Sequence, residues 1–394
     1  MKKGHSLLVA VMFVAVFAMD IVMAALLMRP DGIRMHAPLA GLSLPLETTV
    51  VGDAWMKAGV AAIEVRLRDA TGTIVKSVPA VRDEVMDRGR AVSPLAAWRA
   101  PLAFAAPGSY ELSALVSGVD GRTIETPWRQ VSASAAAPPG QFVFGSVSHV
   151  IPLVVFLGLC IAVPLLVRRA KSDLVRDGVA LVISLALLVH EVVYEVYWFA
   201  IGAWTVGNCM HLHMCSLALA FLPLFYFSSG EGLARRFLFE MLFFFGLGGA
   251  LQALLTPDIG MHGFPELKYF NYFFSHGTIV LGAVYAAALY GIPVTWKSWL
   301  RIAAGTIAMS LAMFGVNQLL GLLPPYEVGN YFIMGYPPPT GSVIDVFARI
   351  FGPAPWYLIG LILMGIVLLA VLTLPYSVRG ILHLRRAAVA RRDP

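Results

Sequence analysis

The sequence predicts a mainly α-helical membrane protein with an N-terminal anchor helix, an outer immunoglobulin-like β-sandwich and then a seven-helix transmembrane bundle. Hydrophobic residues make up 58% of the 394 residues, while charged residues make up 13%, about half the share that is usual in soluble domains. A soluble globule cannot cover that much apolar surface, so soluble, disordered and coiled-coil proteins are excluded. The 3 cysteines provide no disulfide framework.

Apolar runs of about 20 residues, the length that a helix needs to cross a bilayer, divide the chain. The first run follows Lys2 and Lys3 and is longer than the apolar part of a signal peptide, which predicts a retained anchor over residues 1–28. The predicted spans are 6–28, 148–167, 178–200, 208–228, 236–255, 269–291, 300–321 and 354–375.

The positive charges predict the orientation of these spans. With the N-terminus inside, the predicted inner segments carry 15 lysines and arginines, whereas the outer loops between the last seven spans carry only Lys268 and Arg349. Under the positive-inside rule, both termini are cytoplasmic. We therefore expect a multi-pass protein of a bacterial-type cytoplasmic (inner) membrane, with a basic cytoplasmic tail over residues 377–394.

The segment between the first two spans has the pattern of short strands. Residues 61–67 alternate between the two faces of a strand, and turns follow at 70–72 and 117–122. Pro107-Gly108-Ser109-Tyr110 resembles the tyrosine corner of immunoglobulin-like domains. We predict a periplasmic or extracellular antiparallel β-sandwich over 33–134, a linker over 135–146 and the seven-helix domain over 147–376.

Two reactive side chains lie at equal depth in their predicted spans. Cys215 and His276 are each seven residues from the outer end of a span, which is about 10 Å at 1.5 Å per residue. A cysteine thiolate is a nucleophile, and in an apolar site it needs a basic partner. The sequence therefore predicts nucleophilic acyl chemistry by Cys215 with His276 as the base, while a purely structural role for the cysteine stays open.

Further ionisable groups lie in the predicted spans. His190 and Tyr194 are spaced i,i+4, as are Glu191 and Glu195, so the third span carries two adjacent polar stripes. Such groups cost at least ~2.5 kcal/mol in a bilayer, which makes a functional role the default interpretation. Asp20 lies in the outer half of the first span.

The start of the fourth span also permits a metal site as an alternative. Sulfur and imidazole ligands suit copper or zinc. In a helix, however, this alternating spacing separates the ligands into two i,i+4 pairs. The four candidate ligands are Cys209, His211, His213 and Cys215.

Polar residues near the outer ends of the later spans complete the predicted site. Asp258 follows the fifth span, Asn317 lies in the outer half of the seventh, and Asn330-Tyr331 lies in the long loop that follows. Asn317 or Asn330 is a candidate donor to an oxyanion. His211 and the polar residues of the third span are candidates for substrate binding or support.

Several motifs in this order resemble those of YwaF-like integral membrane proteins. The resemblance covers about residues 148–376. Its motifs are Leu212-His213-x-Cys215, the run from Gly249 to Asp258, Phe273-Phe274-x-His276-Gly277, Asn317, Asn330-Tyr331 and Pro355-Trp356-Tyr357.

The resemblance implies an activity. Animal relatives of these proteins are described as cysteine-dependent acyltransferases that act on lyso-ether-phospholipids, and bacterial members are largely uncharacterised. Carried over by position, the family cysteine is Cys215 and the family histidines are His213 and His276. Helical geometry favours His276 over His213 as the base, because a residue two positions from Cys215 points to another face.

The leading prediction is an intramembrane acyltransferase or transacylase that opens toward the outer leaflet. Membrane phospholipids would supply the acyl group, and a lipid, lipoprotein or glycan would accept it. We expect no cofactor and no nucleic-acid partner. The alternatives are a seven-helix receptor or carrier with an outer ligand-binding domain, and a copper- or zinc-handling membrane protein.

Overall fold

A computed structural model gives the architecture of the chain. It describes residues 2–38, 42–84, 94–135, 142–228, 232–257, 259, 262–336, 343–352 and 355–390. In these residues an N-terminal helix is followed by a β-rich region and then by a helical region, which matches the predicted outline.

The helices follow the predicted spans in order. They are α1 (Lys2–Leu27), α2 (Val147–Ala170), α3 (Asp173–Ala200), α4 (Met214–Phe227), α5 (Leu233–Phe245), a π-helix (Gly246–Ala250), α6 (Leu251–Leu255), α7 (Leu267–Leu289), α8 (Trp296–Gly321), a short 3₁₀ helix (Tyr331–Ile333), α9 (Val343–Phe351) and α10 (Leu358–Ala390).

Six of the described helices, one of them formed by α5, the π-helix and α6 together, are long and apolar enough to cross a membrane. Two shorter apolar helices, Met214–Phe227 and Leu358–Leu374, correspond to the remaining predicted spans. The last helix continues to Ala390, so the described part of the predicted basic tail extends the final span as helix.

The β-rich region consists of two sheets with a shared apolar core. The strands are β1 (Gly32–Ala37), β2 (Ser43–Pro45), β3 (Glu47–Trp55), β4 (Val60–Asp69), β5 (Ile74–Pro79), β6 (Val81–Arg82), β7 (Leu95–Ala103), β8 (Gly108–Gly118), β9 (Thr123–Glu125) and β10 (Arg129–Ser134). One sheet has the order β1-β3-β7-β6, and the other has the order β2-β10-β8-β4-β5 with β9 on β8.

The predicted alternation and turns in this region are confirmed in detail. Val65 and Leu67 of β4 point into the core, while Tyr110 at the start of β8 donates from its hydroxyl to the carbonyl of Ala106 over 2.9 Å. This bond has the geometry of a tyrosine corner. One pair, β2 with β10, is parallel, so the sandwich is not antiparallel throughout. Most of the predicted linker lies outside the described residues.

The β-rich region contacts one end of the helical bundle. Arg34 of β1 bridges Asp53 of β3 at 2.7 Å and also pairs with Glu327, which follows α8. Arg129 of β10 donates to the carbonyl of Gly202, which follows α3, over 3.3 Å. The sheets, the α3–α4 connection and the loop after α8 therefore share one end of the bundle, as the predicted topology requires.

Candidate active site

Cys215 is the second residue of helix α4. The helix begins at Met214, and His213 is its N-cap residue with extended backbone angles (φ −73, ψ 158). The prediction of a helix from residue 208 is therefore wrong, because residues 201–213 form an irregular connection. The helical spacing that paired His211 with Cys215 does not apply.

The irregular connection is held by residues that are distant in the sequence. The hydroxyl of Tyr331 donates to the carbonyl of Val206 over 2.5 Å and accepts from the backbone N–H of Met210 over 3.0 Å. The backbone N–H of Asn330 donates to the carbonyl of Gly207 over 2.9 Å. Non-helical backbone at membrane depth requires such partners. These contacts therefore stabilise the irregular connection before α4 in its non-helical conformation.

The start of α4 has no side-chain cap. The His213 imidazole does not cap the helix, because its Nε2–H donates to the carbonyl of Asn208 over 2.8 Å. Among the described residues, we find no hydrogen-bond acceptor at the backbone N–H groups of Met214, Cys215 and Ser216. Free N–H groups and the helix dipole favour an anion there, directly at the Cys215 thiol.

The π-helix lies beside the thiol. A Cβ atom on Gly249 would lie 3.7 Å from Sγ of Cys215, and one on Gly246, one turn earlier, would lie 2.8 Å from the side chain of Ala283 in α7. The π-helix thus separates the start of α4 from the middle of α7 with a glycine on each side. Single π turns are frequent at functional sites, and Gly249 keeps the backbone of the π-helix close to the cysteine.

His276 lies in the same helix as Ala283, about two turns before it. Its Nδ1 is 2.8 Å from the carbonyl oxygen of Tyr272, and the two rings are 4.4 Å apart. Because a carbonyl only accepts, Nδ1 carries the proton and Nε2 retains its lone pair. In the described residues His276 and Cys215 are not hydrogen-bonded to each other; catalytic pairs without substrate are often longer than in the working complex.

Asn317 and Asn330 fold the loop after α8. Asn317 donates from Nδ2 to the carbonyl of Tyr331 over 2.9 Å and accepts from its backbone N–H over 3.0 Å. Oδ1 of Asn330 accepts from the N–H groups of Gly335 and Tyr336. These contacts do not support the predicted oxyanion role of either amide, because both side chains bind the backbone of the loop after α8. That loop in turn contacts the α3–α4 connection.

The polar stripes of α3 separate into two groups. Nε2 of His190 contacts Oδ1 of Asn271 in α7 at 2.6 Å, and Tyr194 stacks on Trp198 with ring centroids 5.3 Å apart. Glu191 and Glu195 instead face His211, and the ligand atoms of these three residues all lie within 4.8 Å of one another.

The four predicted metal ligands do not converge in the described residues. Sγ of Cys209 accepts from the backbone N–H of Thr205 over 3.2 Å, while Nδ1 of His211 lies 3.0 Å from the carboxylate of Asp20. Sequence reasoning named Asp20 without a partner, and it missed Asn271 and Trp204 altogether. Asn271 could have been identified as a polar residue inside the predicted span 269–291, whereas Trp204 lies between two predicted spans and has no such signal. Asp258 lies outside the described residues.

Comparisons with known proteins place the helical region in a family. A family model described as the TMEM164 family matches residues 143–373, more than half of the chain and the same part that resembles YwaF-like proteins. The YwaF-like name itself stays a prediction. A comparison with curated proteins gives no match.

Several solved structures resemble parts of the chain. The fibronectin(III)-like modules of Clostridium thermocellum CbhA align with 27% of this chain and 99% of their own at 22% identity and a TM-score of 0.20. CopC from Methylosinus trichosporium OB3b aligns with 26% of this chain and 93% of its own at 18% identity and a TM-score of 0.20. Astrotactin-2, a vertebrate-specific membrane protein, aligns with 45% of this chain and 33% of its own at 9% identity and a TM-score of 0.20. At these scores the likenesses carry no argument about function.

Proposed function

The chain belongs to the TMEM164 family, and we propose that its helical region is a cysteine-dependent acyltransferase that acts on membrane phospholipids. The nucleophile is Cys215, and His276 moves the protons. The acyl acceptor is a hydroxyl or amine of a lipid, lipoprotein or glycan at the outer leaflet. The resemblance of the sequence to YwaF-like proteins supports the same reaction class.

The observation that carries this proposal is the position of Cys215 at the uncapped start of α4. Acyl transfer passes through a tetrahedral intermediate whose oxygen is negatively charged. The free N–H groups of the first helical turn are donors for that oxygen, and they belong to the nucleophile and its two neighbours. One structural element thus provides both the nucleophile and the stabilisation of charge.

The chemistry proceeds in two balanced steps. His276 takes the thiol proton of Cys215 as the sulfur attacks the acyl carbonyl carbon of a phospholipid and a C–S bond forms, and the ester C–O bond breaks as His276 passes that proton to the departing alkoxide. An acceptor hydroxyl then attacks the thioester carbon, His276 takes the hydroxyl proton, and the C–S bond breaks as His276 returns the proton to the leaving thiolate. Nε2 of His276 is the nitrogen with the free lone pair, since Nδ1 faces the Tyr272 carbonyl.

The position of the β-rich region supports a role in presenting the acceptor. It contacts the bundle at the end where α4 begins, through Arg34 and Glu327 and through Arg129 and Gly202. A domain at that place would select which acceptor reaches the thioester.

A transfer assay in nanodiscs tests the proposal. The purified protein receives a phospholipid with an isotope-labelled acyl chain and a lysophospholipid acceptor, and mass spectrometry follows the label. We expect Cys215→Ala to abolish transfer and His276→Gln to reduce it about 10²–10⁴-fold, the usual range for an acid–base residue.

The matched control is Cys160→Ala, which removes another thiol packed against the same helical core and should leave transfer unchanged. Full activity in Cys215→Ala would overturn the mechanism. Ligand-dependent conformational change without transfer in any variant would support a receptor or carrier instead.

A further inference from the structure

We propose that Glu191, Glu195 and His211 bind a divalent transition-metal ion, and that Asp20 holds the histidine in position for it. The three ligand atoms lie within 4.8 Å of one another. The site lies beside the α3–α4 connection and is separate from the Cys215 thiol. It shares only His211 with the cysteine-containing set that the sequence suggested.

The orientation of His211 is the first support. Its Nδ1 lies 3.0 Å from both carboxylate oxygens of Asp20, and its backbone N–H donates to the same carboxylate over 2.8 Å. A carboxylate accepts, so Nδ1 carries a proton, and in the neutral imidazole Nε2 has its lone pair on the opposite side. A carboxylate behind a histidine in this way is the usual arrangement around metal-binding imidazoles.

The surroundings of Nε2 are the second support. His211 is only 2% exposed, and the nearest carboxylate oxygen, Oε2 of Glu191, is 3.6 Å from Nε2. That distance is too long for a hydrogen bond, although it is within the range of an ion pair when the imidazole is protonated. It is close to the ~3.4 Å that separates two ligands around a tetrahedral ion with ligand bonds of about 2.1 Å. A buried lone pair that faces carboxylates across this gap matches a cation between them.

Glu195 is positioned as the third ligand by its own partner. Its carboxylate accepts from the indole N–H of Trp204, and both residues are buried. One carboxylate oxygen is therefore fixed by the indole while the group stays near the other two ligands. Imidazole with two carboxylates suits Zn²⁺, Mn²⁺ or Fe²⁺, while the absence of sulfur among these three ligands disfavours Cu⁺.

Charge supports the same conclusion. Asp20, Glu191 and Glu195 place three carboxylates around one imidazole inside an apolar bundle. Uncompensated charges in such an environment are strongly unfavourable, and a divalent ion offsets two of them. The ion would join the anchor helix α1, helix α3 and the connection that leads into α4. Asp20 lies outside the part matched by the family model, so this chain provides the outer carboxylate from its own anchor.

Metal analysis of the purified protein tests the proposal. The chain is purified in detergent with a tag that contains no histidine, stripped with a chelator, reloaded with ZnCl₂ or MnCl₂ and analysed by elemental mass spectrometry. We expect about one equivalent of metal in the wild type and none in Glu195→Gln or His211→Ala. Asp20→Asn should keep the stoichiometry but weaken the affinity about 10–100-fold, the usual effect of losing an outer carboxylate.

Two controls separate this site from other effects. His262→Ala removes a histidine paired with Glu266 at 2.5 Å in another loop and should retain full metal. Cys215→Ala should retain it too, which makes the result independent of the acyltransferase proposal. Cobalt loading adds a spectroscopic readout, since the d–d bands of Co²⁺ report imidazole and carboxylate ligands.

Wild-type protein that elutes as a single folded species and binds neither ion would overturn the proposal and leave protons as the balancing charges. Equal metal content in wild type, Glu195→Gln and Glu191→Gln would also overturn it, because the metal would then lie elsewhere.

Discussion

Asn317 is the residue whose replacement should destabilise the helical region most clearly. Its side chain is fully buried and makes two hydrogen bonds with the Tyr331 backbone, donating to the carbonyl over 2.9 Å and accepting from the N–H over 3.0 Å. Asn317→Ala removes the acceptor of the buried Tyr331 N–H, whereas the Tyr331 carbonyl keeps the bond from the Met334 N–H at 3.1 Å. The unsatisfied N–H costs about 1–3 kcal/mol and the lost second bond to the carbonyl about 0.5–1.5 kcal/mol, so we expect roughly 1.5–4.5 kcal/mol in total, a large part of the stability of an average domain.

A second variant separates the two bonds. Asn317→Asp keeps an oxygen that accepts from the Tyr331 N–H but places another oxygen against the Tyr331 carbonyl. It should therefore destabilise the protein strongly although it preserves shape. The matched control is Gln318→Ala, which removes an exposed amide one residue further along α8 and should change stability by less than ~0.5 kcal/mol.

Thermal unfolding in detergent, followed by circular dichroism and by protease resistance of the loop after α8, measures these effects. The loop is coupled to the α3–α4 connection through the Tyr331 hydroxyl, so the transfer rate should fall along with stability. Equal midpoints for Asn317→Ala and Gln318→Ala would refute the claim that this amide holds the loop.

Three further predictions concern other contacts. Arg34→Ala removes the guanidinium that Asp53 and Glu327 share, and the broken buried pair should lower the free energy of unfolding by about 3–5 kcal/mol. Arg66 is half-exposed, so Arg66→Ala should lower it by at most about 1 kcal/mol in the same denaturation assay. Gly277→Ala would place a Cβ 2.4 Å from the ring of Phe156 and should lower stability by about 1–3 kcal/mol. In the control variant Gly158→Ala the new Cβ meets nothing within 4 Å, so this change should be neutral or stabilising. A larger loss of stability in Gly158→Ala than in Gly277→Ala would contradict the close packing of α2 and α7. Tyr110→Phe removes the hydroxyl bond to Ala106 and should lower the stability of the β-rich region by about 0.5–1.5 kcal/mol, an effect that an unchanged unfolding curve would exclude.

The apolar runs and the strand alternation made the order of helices and strands predictable. Both are local signals: about 20 apolar residues for a span, and a period of two for a strand such as β4. The tyrosine corner at Tyr110 was predictable for the same reason, because its partner lies four residues away.

The start of α4 was not predictable from local pattern. The apolar run continues from residue 208, but the helix begins at Met214, because contacts from Asp20 and Tyr331 satisfy the backbone of the preceding residues. Those partners lie 191 and 121 residues away. The same long separation explains why the cluster around His211 could not be assembled from spacing along the chain.

The equal depth of Cys215 and His276 in the sequence analysis requires that each residue lies seven positions inside a continuous helix. The equal depth does not carry over in that form, since Cys215 lies at a helix start and His276 lies in the interior of α7. The remaining support is the chemistry of a thiol at an uncapped helix start, beside a π-helix that contacts Ala283 of α7, about two turns from His276.

Intact-protein mass spectrometry after incubation with phospholipids, with and without hydroxylamine, tests directly whether Cys215 forms an acyl thioester. We predict a fatty-acyl mass increment on the wild type and on Cys160→Ala that hydroxylamine removes, and no increment on Cys215→Ala. An unmodified wild-type protein across a broad panel of phospholipids, with its Cys215 thiol still alkylatable, would contradict the acyl-thioester mechanism.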